Sequence, residues 1–143
     1  MTLETLNKLH NKKIKILGES WTIKVVRASN EDCLEARTLE HQKANMLTEP
    51  YMREIWINIE AYENDDPDEE EGMIMPDDNP AIDQDITHEL YHAFYMESGL
   101  DVCTGESGCE NGWARNETMI DWNAKMFPKI LKVRRSLKIS DEM

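Results

Sequence analysis

NPAIDQDITHELYHAFYMESGL, from Asn79 to Leu100, is the stretch on which the reading of this chain turns. Asparagine followed by proline is a helix start, with Asn79 as the N-cap and Pro80 at the first helical position. The helix is expected to run to about Ser98, with Gly99 ending it. Ile82, Ile86, Leu90, Ala93 and Phe94 then fall on one apolar stripe that a core can bury. His88 and His92, four residues apart, lie on the same face one turn from each other. Both rings can reach a single zinc ion at roughly 2.0–2.1 Å. Glu89 is one step around from His88, so its carboxylate can approach a water on that ion without itself being a ligand. There it can accept the water's proton as the water attacks a carbonyl, then pass it to the leaving amine.

Two histidines do not complete a catalytic zinc centre, which usually has a third protein ligand. Tyr95 and Ser98 stand where a metzincin needs a glycine and a third histidine, so that class is excluded. The other histidines, His10 and His41, are far upstream. Downstream, WARNETMIDW supplies Glu117 and Asp121, which share a face if the segment is helical. Glu117 can bind the metal, while Asp121 can accept the second ring N–H of a ligand histidine. Glu97, Asp101, Glu106 and Glu110 are rival ligands at the helix end or in the glycine-bearing segment LDVCTGESGCENG.

Upstream, the pattern is that of strands. Leu3, Leu6 and Leu9 suggest a short first helix. KIKILGESWTIKVV alternates on both sides of Gly18-Glu19-Ser20 and reads as a β-hairpin. Asn30 to Thr48 has mixed spacing and is expected to form a turn or short helix followed by a loop. REIWINIE, Arg53 to Glu60, alternates cleanly and reads as a strand, with Ile55, Ile57 and Ile59 on one face. A last helical region begins near Trp113 and should end or kink at Pro128. The basic, amphipathic segment KILKVRRSLKI beyond it is also expected to be helical. The fold class expected is α+β: a small antiparallel sheet of about three strands, with the His88–His92 helix and a C-terminal helix packed on one face. Trp113 and Trp122 are expected in the core. At 143 residues the chain is read as one domain, 1–143, with an acidic loop at about 60–79 and a basic helical tail at about 128–143.

The net charge of -13 is concentrated. No lysine or arginine occurs between Arg53 and Arg115, and EAYENDDPDEEEGMIMPDDN, Glu60 to Asn79, is the densest part. Such a field repels phosphates, so direct binding to nucleic acid is not expected. It favours a cationic peptide, a basic protein or a divalent metal. The acidic run has no calcium-binding EF-hand register. No apolar run is long enough to cross a membrane. The first residues lack a secretory signal pattern, and three cysteines, Cys33, Cys103 and Cys109, fit reduced thiols; a cytoplasmic location is expected.

H-E-x-x-H at His88–His92 followed by N-E-x-x-x-D at Asn116–Asp121 resembles the gluzincin arrangement of thermolysin-type zinc metallopeptidases. The resemblance covers Thr87 to about Trp122, roughly a quarter of the chain. It implies His88, His92 and Glu117 as zinc ligands, Glu89 as general base and Asp121 as the group orienting a ligand ring. In overall layout the chain is similar to the minimal zincin-like proteins of bacteriophages and mobile elements, where a small sheet precedes the H-E-x-x-H helix. For a phage-encoded chain the location would be the bacterial host cytosol. In zincins an edge strand borders the cleft; by position this would be REIWINIE, with Ile57 beside the substrate and Tyr95 lining the cleft. Candidates for stabilising the transition state are Tyr51, Tyr91, Tyr95, His41 and Arg115. The function expected is a zinc-dependent peptidase acting on a basic or flexible protein or peptide. The alternative is a non-catalytic acidic protein, a nucleic acid mimic, that engages a basic host protein through Asp65 to Glu71.

Overall fold

Trp21, Ile23 and Val25 point to one side of a strand and are buried there, and the rest of the molecule is arranged to cover them. The computed structural model describes residues 1–63, 79–100 and 112–137. In chain order these form α1 (Leu3–Asn7), β1 (Lys13–Ile16), β2 (Glu19–Val26), α2 (Leu34–Gln42), β3 (Met46–Glu49), β4 (Glu54–Asn58), α3 (Glu60–Glu63), α4 (Pro80–Glu97), a 3-10 turn (Trp113–Arg115) and α5 (Glu117–Ser136). The class is α+β, as expected. The acidic residues 64–78, the segment with Cys103 and Cys109, and the end of the basic tail lie outside the described residues.

The sheet has four strands in the order β1-β2-β4-β3. The hairpin turns at Leu17-Gly18, slightly earlier than the sequence suggests. Ile16 pairs with Glu19, and the two residues between them have φ of 49° and 92°. Both are left-handed, which a two-residue hairpin loop demands and glycine adopts without strain. β2 pairs parallel with β4, and β4 pairs antiparallel with β3, so the sheet is mixed rather than purely antiparallel. β3 comes from the stretch read as a loop. Four residues, MLTE, are too few for alternation to stand out, and only pairing with β4 makes them a strand.

β4 is the second departure. It lies between two neighbours and is buried on both faces, so it is not the border of a cleft. Ile55 and Ile57 join Trp21, Ile23, Val25, Leu6 of α1 and Ile82 and Ala93 of α4 in one core cluster. Trp56 faces the other way, onto Ala36 and Leu39 of α2. Helices therefore cover both faces of the sheet, not one.

α4 has the bounds its sequence predicts. The Asn79 side chain accepts a hydrogen bond from the Ala81 N–H, and Pro80 opens the helix. Gly99, at φ 74°, reverses the chain, and Leu100 N–H returns to the Tyr95 carbonyl at 2.9 Å. Glu97 pins the helix end to the sheet by accepting hydrogen bonds from Trp21 Nε1 at 2.8 Å and Arg53 Nε at 2.6 Å. Of the expected stripe, Ile82 and Ala93 are buried and Ile86 and Leu90 pack against the core, whereas Phe94 is exposed.

α5 continues through Pro128 instead of ending there; the missing N–H removes one bond of the ladder without stopping the helix. Ile120 and Ala124, one turn apart, are its buried residues. Trp122 lies between them in sequence and so points away, 58% exposed. Trp113, in the 3-10 turn, is 59% exposed, so neither tryptophan is a core residue.

The placement of Ile57 is open to test. With the side chain fully buried, Ile57→Ala should cost about 2–5 kcal/mol and Ile57→Val about 0.5–1.5 kcal/mol in urea denaturation. An unchanged midpoint for Ile57→Ala would contradict the packing described.

Candidate metal centre

His88 and His92 sit in the middle of α4, and the helix repeat brings their Nε2 atoms within 3.0 Å of each other. The rings are tilted by 60° with centroids 4.8 Å apart. The third group comes from the first residue of α5. Asn116 caps that helix, its side chain accepting from Met119 N–H at 3.1 Å, and this fixes where Glu117 emerges. Glu117 Oε2 is 3.2 Å from His88 Nε2, and Oε1 is 3.5 Å from His92 Nε2. One donor atom from each of the three residues falls within 4.8 Å of the other two.

The opposite ring nitrogens decide the protonation of the pair. His92 Nδ1 lies 2.5 Å from the backbone carbonyl of Ala114. A carbonyl only accepts, so Nδ1 must carry the hydrogen. His88 Nδ1 lies 2.9 Å from Asp121 Oδ1, and an ionised carboxylate likewise only accepts. With Nδ1 so engaged, the Nε2 atoms of both rings face one point that a carboxylate also faces, and in a neutral ring that atom is a bare lone pair. Three electron-rich atoms so placed repel one another unless a cation or a proton lies among them. Ligand atoms of a tetrahedral zinc with bonds of about 2.0–2.1 Å stand about 3.3 Å apart. The two Nε2 atoms stand 3.0 Å apart, and each is 3.2 or 3.5 Å from a different oxygen of the Glu117 carboxylate, so the nearest contacts are close to that spacing. The donor set of two imidazoles and a carboxylate could hold such an ion.

Glu89 is buried beside this cluster. Its Oε2 accepts a hydrogen bond from Thr48 Oγ1 at 2.6 Å, and the same hydroxyl is 3.0 Å from the Glu89 carbonyl. Burial pushes the Glu89 carboxyl above its ordinary range, and the negative charge of Glu117 acts in the same direction. The Thr48 hydrogen bond and any positive charge on His92 or His88 oppose it.

These groups open onto a cleft of about 460 Å³. One wall is β3, through Met46, Leu47 and Thr48; Met96 and Arg115 help to close the other. A smaller hollow of about 220 Å³ adjoins it and shares Met96 and Arg115.

His88, Glu89, His92, Glu117 and Asp121 are thus brought together. Ile57 and Tyr95 are not part of the cleft. Ile57 is in the core, and Tyr95 Oη accepts a hydrogen bond from Asn123 Nδ2 at 2.8 Å while its ring leans on Tyr91. Among the rival ligands Glu97 is held by Arg53 and Trp21, and Asp101, Glu106 and Glu110 lie outside the described residues. His10 is engaged structurally, its Nδ1 accepting from Val25 N–H at 3.0 Å. Sequence reasoning missed two contributors, Thr48 and the Ala114 carbonyl. Neither carries a signal in one dimension: a threonine in an unrecognised strand and a backbone oxygen become partners only when β3 and the 3-10 turn pack against α4. Comparison of the chain with protein-family models, with curated proteins and with solved structures finds no match in any of the three.

The buried carboxyl gives a pH prediction for the metal-free protein. The folded state holds the Glu89 proton more tightly than the unfolded state does, so this group's contribution to stability is fully present below the ordinary carboxyl range. It is lost as pH rises through the raised folded-state value. Glu89→Gln should flatten that slope and melt higher than the parent at neutral pH. Parallel melts at mildly acidic and neutral pH check this, and a steeper slope in the variant would contradict it.

Proposed function

We propose that this chain is a zinc-dependent peptidase with His88, His92 and Glu117 as metal ligands and Glu89 as general base. The observation that carries the proposal is the convergence of two Nε2 lone pairs, each fixed by an acceptor at Nδ1, on the carboxylate of Glu117. Two nitrogens and one oxygen form a donor set suited to catalytic zinc, which keeps a further position open. A bound zinc would supply Lewis acidity, polarising a carbonyl and acidifying water in the cleft.

The chain's own groups have separable parts in this reading. Asp121 and the Ala114 carbonyl hold the two rings in the tautomer that leaves Nε2 free. Glu89 receives a proton from water and delivers it to the departing amine. Burial raises its proton affinity toward the working range of a base, and a nearby cation would temper that rise. Thr48 restrains the carboxylate so that one oxygen is anchored and the other is available. β3 is the sheet's last strand on that side and walls the cleft, so its outer backbone groups suit an extended peptide. This corrects the strand while keeping the principle: the substrate would lie along Met46–Glu49, not along β4. The likeness of His88–His92 and Asn116–Asp121 to the gluzincin pattern supports the same assignment.

Metal analysis together with digestion of a randomised peptide library tests the proposal. About one zinc per chain and chelator-sensitive cleavage are expected. Glu89→Gln should keep the zinc and lose on the order of 10²–10⁴-fold in rate. Asp121→Asn should weaken zinc binding by about 10–100-fold. Absence of bound zinc, or wild-type cleavage by Glu89→Gln, would remove the proposal.

A further inference from the structure

The smaller hollow brings two arginines together in an otherwise acidic chain. Trp21 and Met96 lie along it, Pro50 and Tyr51 border it, and Arg53 and Arg115 both face it. At about 30 Å³ per water, its 220 Å³ corresponds to about seven waters, room for one amino acid side chain. Glu97 is the carboxylate present. It is already bonded to Trp21 Nε1 and Arg53 Nε, and Arg53 also reaches Glu19 at 3.4 Å.

Arg115 is different. Arg27, Arg37 and Arg53 each pair with a carboxylate, at Glu63, Asp32 and Glu97. Among the described residues the Arg115 guanidinium has no hydrogen bond and no ion pair, although the chain carries 29 acidic residues against 16 basic ones. It is held at the junction, lining both the hollow and the cleft with His88, His92 and Glu117. The 3-10 turn that carries it is anchored by the Ala114 N–H to Leu100 O bond of 2.9 Å and by the Ala114 carbonyl on His92. A guanidinium without a partner at a fixed place presents a planar fork that matches a carboxylate. The exposed ring of Tyr51 offers an apolar surface to the stem bearing that carboxylate.

We infer that this hollow is the specificity pocket of the cleft and takes a carboxylate-bearing group of the substrate, with Arg115 as the residue that selects it. The group is an aspartate or glutamate side chain near the scissile bond. The pocket's relation to a scissile bond rests on the peptidase reading above. Its ligand preference runs against the basic substrate that net charge alone suggests, because Glu97 and Glu19 are engaged by Arg53 while Arg115 has no such partner among the described residues.

Two experiments separate the pocket from the peptidase reading. In the first, zinc-loaded wild type and Arg115→Gln digest a randomised peptide library. Wild type should favour Asp and Glu over Asn and Gln at one position beside the cut by on the order of 10- to 100-fold, the effect of a charge-assisted hydrogen bond. Arg115→Gln should lose that preference. The same library with amidated C-termini should retain the preference, and its loss there would contradict recognition of the side chain. In the second, N-acetylglutamate and N-acetylglutamine are titrated into zinc-loaded protein while the NMR signals of the Trp21 indole and Tyr51 are followed. N-acetylglutamate should shift both and bind at least about tenfold tighter than N-acetylglutamine, with the difference gone in Arg115→Gln. That result upholds the pocket even if no peptide is cleaved, in which case the peptidase reading alone fails. Equal binding of the two probes, or shifts confined to His88 and His92 and unchanged in Arg115→Gln, would overturn the pocket.

Discussion

Two imidazole nitrogens 3.0 Å apart, each on a ring held through its other nitrogen, are the constraint around which this molecule is organised. With both nitrogens bare the arrangement is unfavourable, since neighbouring lone pairs on one helix face repel. It persists because each ring is restrained from behind, His92 by the Ala114 carbonyl and His88 by Asp121. Those two restraints come from the 3-10 turn and from α5, so the geometry of the pair depends on a contact between parts of the chain some twenty to thirty residues apart. The Glu117 carboxylate is delivered by the same contact, through a helix start that Asn116 caps. The position of α5 against α4 therefore sets the orientation of both rings and the placement of the Glu117 carboxylate together.

The sheet contributes the other side of the cleft. β4, buried on both faces, is its rigid centre, and β3 is laid along β4 so that Thr48 meets the buried carboxylate of Glu89. Trp21 and Arg53 tie the far end of α4 down through Glu97. The helix bearing the histidines is thus held at three places along its length: by its Asn79 cap, by Thr48 near its middle and by Glu97 at its end. A side chain at position 48 able to donate a hydrogen bond matters more here than its secondary structure propensity.

Local and global electrostatics diverge. The chain as a whole is strongly acidic, yet Arg53 and Arg115 line the same small hollow. Arg115 is the first cation after a run of residues that has none from Arg53 onward. Those two ends of the run are brought together in space. Net charge describes the far field; at contact distance the sign is set by the few groups that the fold places there.

The sequence by itself determined α4 and the grouping of polar side chains on it. Asn79-Pro80, the Ile82–Ala93 stripe and Gly99 are local signals, and His88, Glu89 and His92 gain their juxtaposition from the helix repeat alone. Glu117 and Asp121 were legible too, because a single helical face carries both. The tertiary structure decided what local pattern does not encode: that β4 is central and β3 is the edge, that Ile57 is core, that Tyr95 turns to Asn123, that α2 covers the second face, and that Trp113 and Trp122 stay exposed. The physical reason is range. A cap, a turn or an i,i+4 pair is fixed by residues within a few positions of one another. Strand order, the hydroxyl of Thr48 and the carbonyl of Ala114 acquire their partners only through packing between distant segments.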